Sequence, residues 1–225
     1  MLTGLPPLVS DQTRLLILGS FPGVASLAAQ QYYGHPQNHF WKILQAIWPS
    51  GPVVTGADSY KIRSEWLLSR QLGLWDVYAA CEREGSLDSH IRQPVVNDFT
   101  AIQRLCPALQ AIAHNGGESF KHSKHVSAAL EGAGAAVRSA GPPQASTAPS
   151  GGRELHAVSE RGGAVFSAGP PQASTAPLGG SVLHEVKSVG VQFYKLPSTS
   201  PANASWSFDR KLAAWREVFE KHGLI

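Results

Sequence analysis

The sequence contains few cysteines and no long apolar run. Of its 225 residues only Cys81 and Cys106 are cysteines, and they do not form a CxxC pair. We therefore expect neither a disulfide framework nor a zinc site, and no metal centre from the nine histidines. No apolar run reaches the length of a membrane span. The N-terminus, MLTGLPPLVSDQ, has no basic region followed by an apolar one, so we expect no secretory signal and an intracellular location, cytoplasm or nucleus depending on the organism.

Charged residues are also sparse, at 16% of the chain. The formal net charge of +3 and the isoelectric point near 9.0 are mildly basic. Such a balance permits a polyanionic partner without requiring one. The hydrophobic share is 43%, which is typical of a globular protein, and the length suffices for one domain with a core.

Short apolar runs alternate with segments of helical periodicity. The runs predict strands at 14–19, 72–78, 109–115 and 191–196, and helices are predicted at 25–31, 40–48, 59–70, 96–105, 119–130 and 209–222. This alternation predicts an α/β fold, a three-layer α/β/α domain with a central, mainly parallel four-stranded sheet. Ligands of such sheets bind at the carboxyl ends of the strands.

One stretch, 134–189, does not follow this alternation. The segment SAGPPQASTAP occurs at 139–149 and again at 167–177. Two copies rich in Pro, Gly, Ala and Ser are poorly suited to bury each other's surfaces as solenoid repeats do. We predict a single domain over 1–225 in which 134–189 is a duplicated, flexible insertion.

The most informative stretch follows the first predicted strand. That strand breaks at GSFPG, residues 19–23, where two glycines and a proline enforce a tight turn. An aromatic and polar run, YYGHPQN at 32–38, then precedes a helix that begins near Asn38. A plain connection between a strand and a helix would need neither feature.

Five short motifs occur in order along the chain: GSFPG at 19–23, YYGHPQNHFW at 32–41, LWDV at 74–77, CEREGSLD at 81–88 and LPSTSPAN at 196–203. Together they resemble the uracil-DNA glycosylase superfamily, and within it the branch of hypoxanthine-DNA (deoxyinosine) glycosylases. The resemblance implies a cofactor-free monomer that acts on DNA containing deaminated bases. It would flip a deaminated base, for which hypoxanthine is the first expectation, out of the duplex and hydrolyse its N-glycosidic bond, leaving an abasic site. Some branches carry an iron–sulfur cluster on four cysteines, which two cysteines cannot supply.

The resemblance implies that Asn38 is the catalytic residue. The matching asparagine of the HPxN motif in that branch positions the attacking water. Most of the superfamily has a catalytic Asp or Asn in the first motif instead, where this sequence has Phe21. The alternative for Asn38 is a helix N-cap, for which asparagine is favoured, and both roles can hold together.

The base-binding residues come from three of these motifs and from the end of the third predicted strand. Tyr33 would stack on the flipped base, and the Asp76 carboxylate could accept a hydrogen bond from N1–H of hypoxanthine. Asn115, after the third strand, could contact the base or the DNA backbone. The alternatives are a structural tyrosine, a helix cap or salt bridge at Asp76, and an Asn-Gly turn. The full set is Gly19, Ser20, Phe21, Tyr33, Asp76 and Asn115.

The DNA-binding residues implied by the resemblance lie mainly in the last motif. The hydroxyls of residues 198–200 suit contacts with phosphates, which position a protein without reading sequence. Asn203 or Ala202 could enter the duplex in place of the extruded base. The alternative is a polar loop that leads to the last helix. The set is Pro22, Gly23, His35, Ser198, Thr199, Ser200 and Asn203.

Two positions depart from the superfamily pattern. Phe21 is apolar where a catalytic polar residue is common, and Leu196 stands where the classical motif has His or Asn. Three other hypotheses therefore stay open. The chain could be a mismatch-type uracil or thymine glycosylase, although that type has Asn at position 21. It could be a catalytically silent DNA-binding relative, or a doubly wound domain that binds a small phosphorylated ligand.

Overall fold

The computed structural model describes residues 1–52, 58–139, 185–188 and 190–225, and only the backbone of 133–139 and 185–188. The strands in chain order are β1 Leu2–Thr3, β2 Leu15–Gly19, β3 Leu72–Asp76, β4 Tyr78–Glu82, β5 Arg92–Val96, β6 Ala111–Asn115, β7 Glu185–Ser188 and β8 Val191–Leu196. The helices are α1 Val24–Ala29, α2 Phe40–Ile47, α3 Ser59–Ser69, α4 Ile102–Leu105, α5 Gly117–Phe120, α6 Ser123–Ser139 and α7 Phe208–Lys221, with a 3₁₀ turn at Asp88–His90.

The central sheet has the strand order β3-β2-β6-β8-β7. Its first four strands are parallel, and β7 adds an antiparallel edge. The predicted α/β fold with a mainly parallel sheet is confirmed. Strand β7 falls within the predicted insertion, but most of that insertion, 140–184 and 189, lies outside the described residues, so the predicted insertion stays a prediction.

The predicted strand 72–78 is wrong in its last two residues, because the chain changes sheets there. The Val77 N–H donates to Gly19 O at 2.9 Å and the Tyr78 N–H to Ser20 O at 3.0 Å. The following strand, β4, then pairs antiparallel with β1 and β5 in a second sheet of three strands. The sequence did not predict this small sheet.

The predicted helix 96–105 is also mostly wrong. Its first residue ends β5, and only α4 at its C-terminal end is helical. Asn97 bonds this segment to the point at Val77 where the chain changes sheets. Its N–H donates to Val77 O at 2.8 Å, and its Nδ2 donates to Asp76 O at 2.9 Å. These bonds hold the chain extended where apolar spacing alone predicted a helix.

The sheet is buried on both faces, as the apolar strands predicted. In β2, Leu15 and Ile17 face one core, which includes residues of α2, α3 and α7. Leu16 and Leu18 face the other, which includes residues of α4, α6 and β4. The two cores produce the predicted three layers and hold the strand ends rigidly at one edge.

Candidate active site

A cavity of about 540 Å³ lies at the carboxyl ends of β2, β3 and β6 and against the loop that follows β8. Ligands of parallel sheets bind at this edge. All the site residues predicted from the sequence line this cavity: Gly19, Ser20, Phe21, Pro22, Gly23, Tyr33, His35, Asn38, Asp76, Asn115, Ser198, Thr199, Ser200 and Asn203. Residues as far apart in sequence as Gly19 and Asn203 thus meet in one place.

The turn after β2 is held by the segment that follows β4. The Ser20 hydroxyl donates to Asp88 Oδ1 at 2.7 Å, and the Val24 N–H donates to Ser86 Oγ at 3.0 Å. Ser86 and Asp88 also line the cavity. The GSFPG turn is therefore one wall of the site and the 83–88 segment is the support behind it.

Phe21 is buried and lies under the guanidinium of Arg83, whose Cζ is 5.0 Å from the ring centroid. The Arg83 Nη2 donates to Pro22 O. Its Nε and Nη1 are buried and have no hydrogen-bond partner among the described residues. The position that is polar in most of the superfamily is thus apolar here, with a cation stacked against it.

Asp76 is a buried carboxyl at the end of β3 and is 4% exposed. Its Oδ2 has no hydrogen-bond partner in the described part of the chain, where Asp76 forms no ion pair either. It precedes a strand and not a helix, so neither a helix cap nor a salt bridge accounts for it. Burial, with a smaller effect of Asp88, raises the pKa of the Asp76 carboxyl to about 7, against the opposing effect of Arg83.

Tyr33 adopts a left-handed backbone conformation, with φ of 55°, which is uncommon for a residue other than glycine. Its ring stacks on Phe40 with centroids 4.0 Å apart. Its hydroxyl is buried and lies beside Gly19. Burial and the Asp76 carboxyl raise the pKa of Tyr33, against the opposing effect of a hydrogen bond with Asn115, so its hydroxyl stays protonated. Polar groups of Tyr33 and Asp76 thus lie in the walls of the cavity, and Asp76 Oδ2 has no hydrogen-bond partner among the described residues.

Asn38 lies where the chain enters α2. Its Oδ1 accepts a hydrogen bond from the Phe40 N–H at 2.9 Å, and its own N–H donates to His35 O at 2.9 Å. The N-cap of α2 is His39, not Asn38, so the alternative interpretation is wrong by one residue, and the Asn38 side chain instead closes an Asx-type turn that leads into the helix. An amide oxygen has two lone pairs, so Asn38, which is only partly buried and lines the cavity, can still bind a water molecule.

Asn115 and Thr199 form a two-way amide clamp. Asn115 Nδ2 donates to Thr199 Oγ1 and the Thr199 N–H donates to Asn115 Oδ1, both at 2.9 Å. The Thr199 carbonyl accepts from the His39 N–H at 3.0 Å. Because Thr199 is fully buried, its hydroxyl holds the loop and does not face a phosphate, in contrast to the role expected from the sequence.

The rest of this loop, residues 197–203, is a series of tight turns. Ser198 Oγ accepts from the Ser200 N–H, and Ser200 Oγ accepts from the Ala202 N–H, each at 3.2 Å. Asn203 Nδ2 donates to Ser198 O at 3.1 Å. Asn203 is thereby held within the loop, while Ser198 and Ser200 remain partly exposed and accessible to a phosphate.

Lys211 lies below this loop and is 1% exposed. Its Nζ is 3.5 Å from Ser200 O, and burial lowers its pKa. It forms no ion pair within the described ranges. A buried ammonium that lacks a carboxylate partner is costly in an isolated protein, and its charge lies directly behind the proposed phosphate-binding turns.

The cavity residues that sequence reasoning did not include among the site residues comprise Ser86, Leu87 and Asp88, together with Ala25, Ser26, Tyr32, Pro201 and Ala202. The first three belong to the motif CEREGSLD, but a motif in a loop does not reveal which side chains face a cavity. Leu87 is 46% exposed, although leucine is usually buried. Across the described ranges, no group of three His, Cys, Asp or Glu side chains could hold a metal ion, and no helix is long and apolar enough to cross a membrane.

Comparison with known proteins identifies a family, two related sequences and a related structure. The family model of the uracil DNA glycosylase superfamily matches residues 6–219. Proteins named hypoxanthine DNA glycosylase from Methanosarcina barkeri and Methanosarcina acetivorans are each 39% identical to this chain, over 123 and 120 residues, or 53% of this chain and 73% of theirs. A solution NMR structure of a candidate uracil DNA glycosylase from M. acetivorans superposes with a TM-score of 0.61 and 25% identity, covering 97% of this chain and 96% of its own. The chain therefore belongs to the uracil DNA glycosylase superfamily.

Proposed function

We propose that this protein hydrolyses the N-glycosidic bond of a deaminated base, most efficiently hypoxanthine, after the base has left the DNA duplex. The observation that carries the proposal is the buried Asp76 carboxyl, whose Oδ2 has no hydrogen-bond partner among the described residues, in a cavity that Tyr33 and Asn38 also line. Buried polar groups without partners are rare in folded proteins. A base edge that donates to Asp76 and accepts from the Tyr33 hydroxyl would satisfy this carboxyl.

The edge of hypoxanthine fits this pair by its hydrogen-bonding pattern. Its N1–H is a donor for the ionised Asp76 carboxylate, and its O6 is an acceptor for the Tyr33 hydroxyl. Adenine carries an unprotonated N1, which the ionised carboxylate repels. The same two side chains would therefore reject the undamaged base from which hypoxanthine is formed.

Asn38 has the geometry to hold the attacking water. The Phe40 N–H fixes the amide, because only Oδ1 can accept that bond. The second lone pair of Oδ1 and the Nδ2 hydrogens can then orient water toward the C1′ atom of the sugar. An amide is a weak base, so catalysis rests on positioning and on stabilisation of the charges of the transition state.

A mismatch-type uracil or thymine glycosylase is the second candidate, because the N3–H of these bases could also donate to Asp76. Phe21, buried under Arg83, weighs against it, since that type has Asn there. A catalytically silent DNA-binding relative is the third.

The test is base release from duplexes that carry one deoxyinosine or one deoxyuridine, with the parent protein and Asn38→Ala. We expect release of hypoxanthine, loss of nearly all activity in the variant, and unchanged binding of DNA. Strand breaks that appear only after alkali treatment would indicate a monofunctional enzyme. Release of uracil alone would overturn the substrate assignment, and release of neither base would favour the silent relative.

A further inference from the structure

A second cavity, of about 320 Å³, adjoins the 197–203 loop, which also borders the first. Its lining includes Lys195, Trp206 and the backbone of Gly116 and Gly117. Ser198 and Asn203 line both cavities. The loop is therefore a wall shared by two adjoining spaces, and a chain that crosses it passes from one to the other.

The second cavity has an aromatic surface. The ring of Trp206 is partly exposed, and the guanidinium of Arg210 lies over it with Cζ at 4.4 Å from the ring centroid. Arginine stacked on an aromatic ring leaves the opposite face of the ring available for a second planar group. Every nucleobase offers such a planar face, so stacking on tryptophan does not depend on sequence.

The same cavity carries positive charge and lacks side chains on one wall. Lys195 forms no ion pair in the parts of the chain that the structure describes. Gly117 places no side chain near the Lys195 ammonium stem, where even a Cβ would be 3.8 Å from Lys195 Cε. A cation beside an open backbone wall suits a phosphate, for which Lys serves as a point charge.

We propose that this cavity, the Trp206 groove, binds the neighbouring nucleotide of the damaged strand, with its base on Trp206 and its phosphate at Lys195. The proposal rests on the proposed function, because it takes the flipped nucleotide in the first cavity as the start of the path. The strand then crosses the loop at Ser198 and enters the groove. The two lining residues that the cavities share, Ser198 and Asn203, and charge complementarity with DNA both favour this occupant over a free small molecule.

The test measures the affinity for a duplex with a tetrahydrofuran abasic analogue, which needs no chemistry, by fluorescence anisotropy. We expect Trp206→Ala to weaken binding about tenfold, as for loss of one stacked base, and Trp206→Phe to weaken it much less. Lys195→Gln should lower the slope of log K against log salt by roughly 0.9, the effect of one phosphate contact. Lys61→Gln, an exposed lysine on α3, is the control and should leave both quantities unchanged.

Shortening the damaged strand locates the contact. When the strand ends directly 5′ or directly 3′ of the lesion, one of the two truncations should abolish the difference between the parent and Trp206→Ala. Equal affinity of Trp206→Ala and parent for the full duplex, with an unchanged circular dichroism spectrum, would overturn the proposal. So would a loss that neither truncation removes.

Failure of the groove and failure of the proposed function give different results. Release of hypoxanthine by the parent together with normal affinity of the Trp206 and Lys195 variants would overturn only the groove. Weakened binding by these variants without any base release would keep the groove and overturn the enzyme. A parent that binds no DNA would overturn both.

Discussion

The Oδ1 atom of Asp76 lies directly against the α-carbon of Gly19, so close that a Cβ at position 19 would overlap it. The two residues are partners in the register of β2 and β3, where both strands end. Only glycine at position 19 leaves room for the Asp76 carboxyl on the neighbouring strand. The carboxyl and the first glycine of GSFPG are therefore one structural unit.

Gly19→Ala should displace the Asp76 carboxyl and greatly reduce base release. The displacement also disturbs the strand ends, so we expect a loss of about 1–3 kcal/mol in the free energy of unfolding, as for overpacking. Gly132→Ala is the matched control, because nothing lies within 4 Å of a Cβ there and Ala favours a helix. Normal activity of Gly19→Ala would contradict the assigned position of the carboxyl.

The protonation of Asp76 should appear in the pH profile. Its pKa near 7 implies that kcat/KM for deoxyinosine rises with pH through about 7, as the carboxylate that accepts N1–H forms. Asp76→Asn presents a carbonyl oxygen at all pH values and should lose this limb of the profile. An identical limb in parent and variant would show that another group titrates.

The raised pKa of Asp76 also predicts that the free energy of unfolding falls with rising pH, whereas activity rises. An unfolded Asp carboxyl titrates near 4, whereas the folded one titrates about three pH units higher. The folded state therefore holds the proton more tightly, and its stabilising effect, complete below pH 4, is lost as the pH rises through about 7. Urea unfolding should show Asp76→Asn gaining stability relative to the parent between pH 4 and 8.

Asn38→Ser separates the turn before α2 from catalysis. The serine hydroxyl can also accept the Phe40 N–H, although more weakly than an amide does. Asn38→Ser should therefore keep most of the stability of the parent, while Asn38→Ala should lose about 1 kcal/mol, the net value of one hydrogen bond. Neither variant can hold water as an amide does, and both should lose roughly a hundredfold or more in kcat. Single-turnover rates and thermal unfolding measure the two effects, and an active Asn38→Ser would leave Asn38 only the role of holding the turn.

Leu87 is exposed and lines the cavity. We expect it to aid base release only when the damaged base is paired in a duplex. Apolar wedges between base steps help to hold a nucleotide out of the stack. Leu87→Ala should therefore lower the rate about tenfold on duplex DNA but have little effect on single-stranded DNA, which needs no flipping. Leu105→Ala, another exposed leucine that lines neither cavity described, is the control. Equal losses on both substrates would exclude a wedge.

Lys211→Met should weaken DNA binding without lowering the melting temperature. Replacing a buried charge by an apolar side chain of similar length is often neutral or stabilising, so the melting temperature should not fall. The affinity for duplex DNA should nevertheless decrease, because the positive charge behind Ser200 is lost. Lys61→Met controls for net charge. A lower melting temperature with unchanged affinity would assign Lys211 a purely structural role.

The sequence predicted the parallel strands well because they depend on local signals. Its motifs also marked residues that the structure brings together at one cavity, and their roles in catalysis and DNA binding stay predictions. Apolar runs such as 15–18 identify strands that are buried on both faces, and the motifs mark the strand ends. The small sheet of β1, β4 and β5 could not be predicted, since β1 has only two residues and pairs with β4 from the N-terminal end of the sequence, and β5 is mostly exposed and has no apolar run. Asn97, whose hydrogen bonds fix the chain beside Val77, has no signature that distinguishes it from a helical residue.

Within the site, the sequence identified residues but not their partners. The pairing of Asn115 with Thr199 joins positions 84 apart, and no local pattern indicates it. No local pattern indicates the contact of Arg83 with Phe21 either, because it depends on the change of sheets at Val77. The residue types indicate which side chains can form hydrogen bonds. The tertiary contacts decide which of these side chains already have a partner within the protein.

The clamp between Asn115 and Thr199 has a consequence for how quickly DNA can be searched. The clamp and the hydrogen bond from His39 fix the 197–203 loop before any nucleic acid arrives. Its conformational entropy is lost once, when the chain folds, and not again at each encounter. A preorganised surface of this kind can make and break contacts with successive phosphates without rearranging, so a scanning molecule would wait only for the base to leave the helix.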